Sequence, residues 1–250
     1  MITLILPYYH NAGMLIEQAN VINRYPSEIR QNLQVIVVDD CSAFDARAEK
    51  VIESGQAQFK VDSFKLYRIL TDLRWNWLQC RNLGAKEADG EWLFLTDIDH
   101  IVPVETMQYL HENTTGKVFK GDRFYTFDRV NYALKTPLEK MEKYKPHPNT
   151  YFMSKKLYWK IGGYDEVFAG NYGTDGMYRR RCLDEGRQVQ LANIYIARVD
   201  RQIIADASTL PEMLDRKDNR APGILDEILE YKEQNKIPIQ TLKLPWRRVI

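Results

Sequence analysis

The sequence is short of several things that would decide a function outright. Its three cysteines, Cys41, Cys80 and Cys182, lie far apart with no CxxC pair. That speaks against a zinc site or a disulfide framework and fits a reducing, cytoplasmic setting. Charge of one sign is lacking too: 35 Lys plus Arg against 34 Asp plus Glu leave +1, too weak a field to call for a polyanionic partner. No apolar run approaches the length of a membrane-spanning helix. The opening MITLILPYYH, broken by Pro7, has no basic stretch before it and no small-residue cleavage site after it, so it reads as a first strand and not as a signal peptide. No Pro/Gly/Ser-rich stretch, low-complexity tract or internal repeat divides the 250 residues. One domain is expected, spanning 1–200, with 201–250 as its C-terminal helical extension. A hydrophobic content of 44% and a charged content of 28% are those of an ordinary folded protein, which excludes global disorder.

What is present is an alternation of short apolar runs and longer helical patterns, the signature of βαβ units and a largely parallel sheet. Ile2–Leu6, Val35–Val38, Phe64–Leu70 and Trp92–Leu95 are the strands, with helical stretches over Ala12–Arg24 and Trp77–Ala88. The runs are too uniformly apolar for a half-exposed sheet, so helices are expected on both faces. Beyond Asp99 the pattern changes. Lys117–Phe127 reads as a strand that runs antiparallel, Thr136–Pro148 as a Lys- and Pro-rich loop or short helix over an opening, Tyr151–Ser154 as a strand, Thr174–Glu185 as a helix and Val189–Val199 as a strand. The last fifty residues carry a helix over Ile224–Gln234 and few chemical signals.

In an open parallel sheet, ligands gather beyond the carboxyl ends of the strands. There the sequence places Pro7 and Tyr8 after strand one, Asp39 and Asp40 after strand two, and Asp97 and Asp99 after strand four. Close carboxylates raise one another's pKa unless a cation neutralises them, and an oxygen-rich site suits Mg²⁺ or Mn²⁺. A lone Asp-x-Asp is more often a turn or a helix cap, so the surrounding sequence decides.

That surrounding sequence, LILPYYHNAGML, VIVVDDCS, RNLGAKEADGEWLFLTDIDH and IGGYDEVFAGNYGTDGMYRRR in this order, resembles the family 2 glycosyltransferases of the GT-A fold over roughly the first 200 residues. The resemblance implies a mostly parallel central sheet flanked by helices, with a short antiparallel part. It also implies transfer of a sugar, with inversion, from a nucleotide diphosphate (UDP by preference) to an acceptor hydroxyl. On that reading Pro7 and Tyr8 border the nucleotide, Asp39, with Asp40 as the alternative, contacts the base, and Arg81 and Asp97 hold the nucleotide. Asp97 and Asp99 are the acidic pair at the metal, and Asp200 is the candidate third ligand. Asp175 is the base. The family's usual Glu-Asp pair is here Thr174-Asp175, so one acid of the two is missing. A carboxylate in a helix's first turn is stabilised as an anion and can accept a proton.

Other residues stay open at this stage. His100 follows Asp99 but points away from it on an extended chain, and His147 sits between two prolines in a loop. Trp75 and Trp77 read as a packed lid over the core. Asp165 is expected to shape its loop, and Arg179-Arg180-Arg181 to be solvated. The acceptor is a saccharide by preference, with a hydroxymethylated DNA base as the alternative. A phosphatase of the haloacid-dehalogenase type and a nucleotide-sugar-binding module without turnover are the rival readings. No feature sets the oligomeric state.

Overall fold

The computed structural model describes residues 1–73, 75–132, 142–205, 207–209, 211 and 223–250. Strand β1 (Ile2–Tyr8) runs through its centre and β2 (Leu33–Asp39) pairs with it in parallel. Side chains alternate across a strand, and the result is two cores. Leu4, Leu6, Val35 and Val37 face one side of the sheet, and Ile5, Ile36 and Val38 face the other. All seven are fully buried. This is why the runs are continuously apolar: both faces are covered.

Parallel strands β3 (Ser63–Ile69) and β4 (Trp92–Leu95) complete the centre, giving the order β3-β2-β1-β4. Helices α1 (Ala12–Ile22), α2 (Ser27–Arg30), α3 (Ala48–Glu53) and α4 (Trp77–Glu87) connect them. Chain order reverses at β1, between β2 and β4, and it is at such a reversal that a crevice opens. Helix α4 lies very close to β1: a Cβ on Gly84 would stand 2.4 Å from Ile5 Cγ2, so only glycine fits there.

The antiparallel part lies beyond β4. It comprises β5 (His100–Ile101), β6 (Arg123–Tyr132), β7 (Lys143–Tyr144) and β8 (Tyr151–Ser154), with β9 (Arg187–Val199) running parallel to β6. Helices α5 (Val104–Thr115), α6 (Lys155–Lys160) and α7 (Asp175–Glu185) flank it. The strand expected from Lys117 starts at Arg123, because α5 and its exit turn occupy the residues before it. Of the expected loop Thr136–Pro148, residues 136–141 lie outside the described residues, as do residues 133–135 before it. Towards the C-terminus, α8 (Ile224–Gln234) packs Leu225, Ile228 and Leu229 on the second core. Strand β10 (Trp246–Arg248) then pairs antiparallel with β3 and covers that edge of the sheet. The 201–250 segment is therefore more than helix: it adds a strand.

Candidate active site

A cleft of about 350 Å³ opens where the ends of β1, β2 and β4 meet the β6/β9 side of the sheet. Pro7, Tyr8 and Asp40 line it, together with Asp97, Asp99, His100 and His147 and with Tyr172 and Asp175. Trp75 and Trp77 also line it, with the Trp75 ring 5.1 Å from that of Tyr172. The tryptophans thus border the opening, a correction to the lid reading, although Trp77 also packs on the core.

Backbone bonds fix the acidic loop after β4, and Arg81 grips it through the Asp97 carboxylate. His100 N–H donates to Asp97 O at 3.0 Å and Val199 N–H to Asp99 O at 2.8 Å. Gln18 Nε2 donates to the carbonyls of Ile98 and His100, each at 2.9 Å. Asp97 Oδ1 accepts from the Arg81 guanidinium, and its Oδ2 lies 3.5 Å from His147 Nε2. Burial, reinforced by Asp99, pushes the Asp97 carboxyl up to about 6 although Arg81 pulls it down. Burial would raise Asp99 as well, but His100, His147 and Arg198 hold it well below the usual carboxylate range. His100 Nδ1 is 2.7 Å from Asp99 Oδ1, while Arg198 Nε stands 3.9 Å from Asp99 Oδ2.

Arg81 does not reach the cleft. It is fully buried on α4 and donates to Asn149 O at 2.7 Å and to Tyr164 Oη at 2.8 Å besides Asp97. It holds Asp97 in place from behind. Asp39 is likewise engaged: Oδ1 takes Ser42 N–H at 2.7 Å, Oδ2 takes Ala48 N–H at 3.0 Å, and Arg68 pairs with it at 3.3 Å. Its neighbour Asp40 faces the cleft, buried, with Asn76 Nδ2 at 3.4 Å. Burial pushes its carboxyl up to about 8. Asp200 stands apart from the acids. It is exposed at the turn after β9 and accepts Gln202 N–H at 2.9 Å. It is not among the described residues that line the cleft.

Asp175 opens α7, in the first turn, and Asn149 Nδ2 donates to its Oδ1. One carboxylate oxygen is thereby oriented. Asn149 was not singled out from the sequence, and neither His100 nor His147 was preferred. Asn149 and His147 lie on the Pro-His-Pro-Asn-Thr segment, which folds back over the acidic loop that carries His100: the His147 ring lies 4.0 Å from that of His100, tilted by 37°, and Thr150 Oγ1 lies 3.1 Å from Thr96 Oγ1. The flanking prolines, which bias that segment to extended backbone, were the available signal.

Asp97, His100 and His147 each offer a ligand atom, all within 4.8 Å of one another. His100 is 2% exposed and its Nε2 has no hydrogen-bond partner among the described residues. A buried nitrogen left unsatisfied is costly, and a divalent ion fits the donors that surround it.

Fold and cleft define a class: the GT-A architecture, a doubly wound α/β sheet with its acids beyond the central strands. Residues 3–174 match the model of "Glycosyl transferase family 2", and the chain belongs to that family. It is 27% identical over 117 residues to an "Uncharacterized glycosyltransferase" of Haemophilus influenzae, covering 45% of this chain and 35% of that protein. It is similar in fold to S. aureus TarS 1-349 in complex with UDP-GlcNAc (TM-score 0.58, 18% identity, 80% of this chain and 58% of that one). It also matches the mannosyltransferase PcManGT of Pyrobaculum calidifontis in complex with GDP-Man and Mn²⁺ (TM-score 0.54, 16% identity, 94% of this chain and 70% of that one). The chain thus spans about a third of its curated relative and over half of TarS 1-349. No helix among the described residues is long and apolar enough to cross a membrane.

Proposed function

We propose that this chain transfers a sugar from a nucleotide diphosphate, with uridine the favoured nucleoside, to an acceptor hydroxyl, with inversion and with Asp175 as the base. The observation that carries the reading is the convergence of three separate sequence blocks on one cleft: Tyr8 and Asp40, the Asp97–His100 loop, and Asp175 at the start of α7. The similar folds, one with UDP-GlcNAc and one with GDP-Man and Mn²⁺, support a nucleotide-sugar donor.

Each part has a task. The rim at Pro7, Tyr8 and Asp40 borders the nucleoside, and the aromatic rings of Trp75 and Tyr172 offer flat apolar faces to a sugar or base. Asp175, oriented by Asn149, takes the proton of the acceptor hydroxyl as that oxygen attacks the anomeric carbon. The carbon–oxygen bond to the diphosphate breaks on the opposite face, so inversion follows from a single in-line displacement. Asp97, held by Arg81, and the histidines beside it would hold a divalent ion, which when bound supplies charge compensation for the leaving diphosphate. A saccharide is the favoured acceptor.

The test is a screen of UDP- and GDP-sugars with saccharide acceptors, with and without Mn²⁺, reading release of the nucleoside diphosphate. Acceptor-stimulated release with one donor supports the reading. Phosphate release from simple phosphomonoesters, or tight donor binding with no turnover for any acceptor including hydroxymethylated DNA, refutes it.

A further inference from the structure

We propose that the ion at this cleft is held by mixed nitrogen and oxygen donors, Asp97 Oδ2, His100 Nε2 and His147 Nε2, and that the site therefore takes manganese and later transition ions in preference to magnesium. The inference rests on the reading of the cleft given above but concerns which ion the chain itself selects.

Three observations carry it. First, the donor atoms are already together. His147 Nε2 is 3.5 Å from Asp97 Oδ2, and one atom from each of Asp97, His100 and His147 lies within 4.8 Å of the others. Ligands about 2.1 Å from one ion stand about 3 Å apart across a right angle and at most about 4.2 Å apart in trans, so the 3.5 Å between Asp97 Oδ2 and His147 Nε2 suits a shared ion. Second, the partners behind each ring leave the inner nitrogen for a ligand. His100 Nδ1 faces Asp99 Oδ1 at 2.7 Å and His147 Nδ1 faces Thr150 Oγ1 at 3.1 Å. A carboxylate on one imidazole nitrogen fixes the tautomer and turns the lone pair of the other outward, the usual second support of a metal-binding histidine. Third, His100 Nε2 is buried and has no hydrogen-bond partner among the described residues. A folded chain seldom leaves such an atom unpaired unless something binds to it.

Asp99 then acts in a different way from Asp97. Its Oδ1 is committed to His100, and its Oδ2 faces Arg198 at 3.9 Å. It is a positioning residue that works through the ring of His100. The consequence for selectivity is chemical. Magnesium prefers oxygen donors and keeps its waters, whereas imidazole raises affinity along the series from Mn²⁺ to Zn²⁺.

The experiment titrates the intact chain with MnCl₂, CoCl₂ and MgCl₂ by calorimetry, with and without UDP, and examines the Mn²⁺-loaded protein by pulsed EPR for nitrogen hyperfine coupling. Expected are coupling to two imidazole nitrogens, Mn²⁺ bound at least tenfold tighter than Mg²⁺, and Co²⁺ tighter still. His147→Gln should remove one coupling and weaken Mn²⁺ about tenfold or more while changing Mg²⁺ little. His100→Gln should do the same, and because that residue is buried, a thermal melt first establishes that the variant folds; His147→Gln stands on its own if it does not. Absence of nitrogen coupling with and without UDP, or equal affinity for Mg²⁺ and Mn²⁺, overturns the proposal. Because binding and coupling are read without donor sugar or acceptor, nitrogen-ligated Mn²⁺ in a chain that never releases UDP would sink the functional reading and leave this one intact. UDP release that runs equally well on Mg²⁺ and survives His147→Gln would do the reverse.

Discussion

Asp40→Asn should make the protein more stable at alkaline pH and leave it unchanged in acid. Asp40 is 6% exposed at the end of β2, with one weak donor, Asn76 Nδ2 at 3.4 Å. Burial, with smaller contributions from Asp39 and Asp72, raises its carboxyl from the ordinary 3.8 to about 8. A group with a raised folded value binds its proton more tightly in the native chain, so its contribution to stability is complete below about pH 4 and is lost as pH rises through about 8. The gap corresponds to about 6 kcal/mol, and because Asp40 lines an open cleft that water can enter, screening reduces it to about 3 kcal/mol. Asparagine has the same shape and never ionises. Urea unfolding of D40N and its parent at pH 4, 6 and 8.5 should therefore give coincident midpoints in acid and midpoints separated by about 1 M at pH 8.5. Curves that stay superimposed across the whole range would refute the argument.

Arg81→Met should lower the melting temperature by about 6 °C or more, since removing one partner of a buried pair costs about 3 kcal/mol even with Asp97 partly open to solvent; a melt within 2 °C of the parent would show that Arg81 does not hold the loop. Asp175→Asn should cut acceptor-dependent turnover by about 10²- to 10⁴-fold while calorimetry shows UDP binding unchanged, and near-parental turnover would remove Asp175 as the base. Lys232→Met should destabilise the fold by about 2 kcal/mol, because buried Asp165 loses its cation and keeps only the N–H groups of Val167 and Gln240; denaturant midpoints are the measure, and no change would mean that α8 is held by apolar contacts alone.

Much of the fold was legible because the two-faced burial of β1, β2 and β4 leaves uninterrupted apolar runs, and because Ile224–Gln234 has helical periodicity from end to end. Helix α5 is weakly written in the sequence: Val104, Met107 and Leu110 alone carry its apolar spacing, and Pro103, its N-cap, follows closely on the turn at Asp99. Strand β10 could not be read, since three residues, two of them exposed, become a strand only by pairing with β3. The cleft divides the same way. Asp97 and Asp175 were readable as acids placed by a strand end and a helix start. That Arg81 lies buried behind Asp97, that Asp39 spends both oxygens on its own loop, and that Asp200 faces solvent are facts of three-dimensional neighbourhood. So is the meeting of His100 and His147, 4.0 Å apart between ring centres.

Glu166 offers a last consequence. Its buried carboxylate receives two successive amides of the late chain, Leu242 N–H at 2.6 Å and Lys243 N–H at 2.9 Å, with Leu242 in the left-handed conformation that lets both point one way. The same carboxylate takes Asn82 Nδ2 at 2.6 Å, and Asn82 is the neighbour of Arg81 on α4. A tether of hydrogen bonds thus runs from the far end of the sequence to the helix that steadies Asp97. Damage to that distant stretch would be felt as a wandering Asp97 carboxylate in the cleft, so mutations there would masquerade as lesions of the cleft itself.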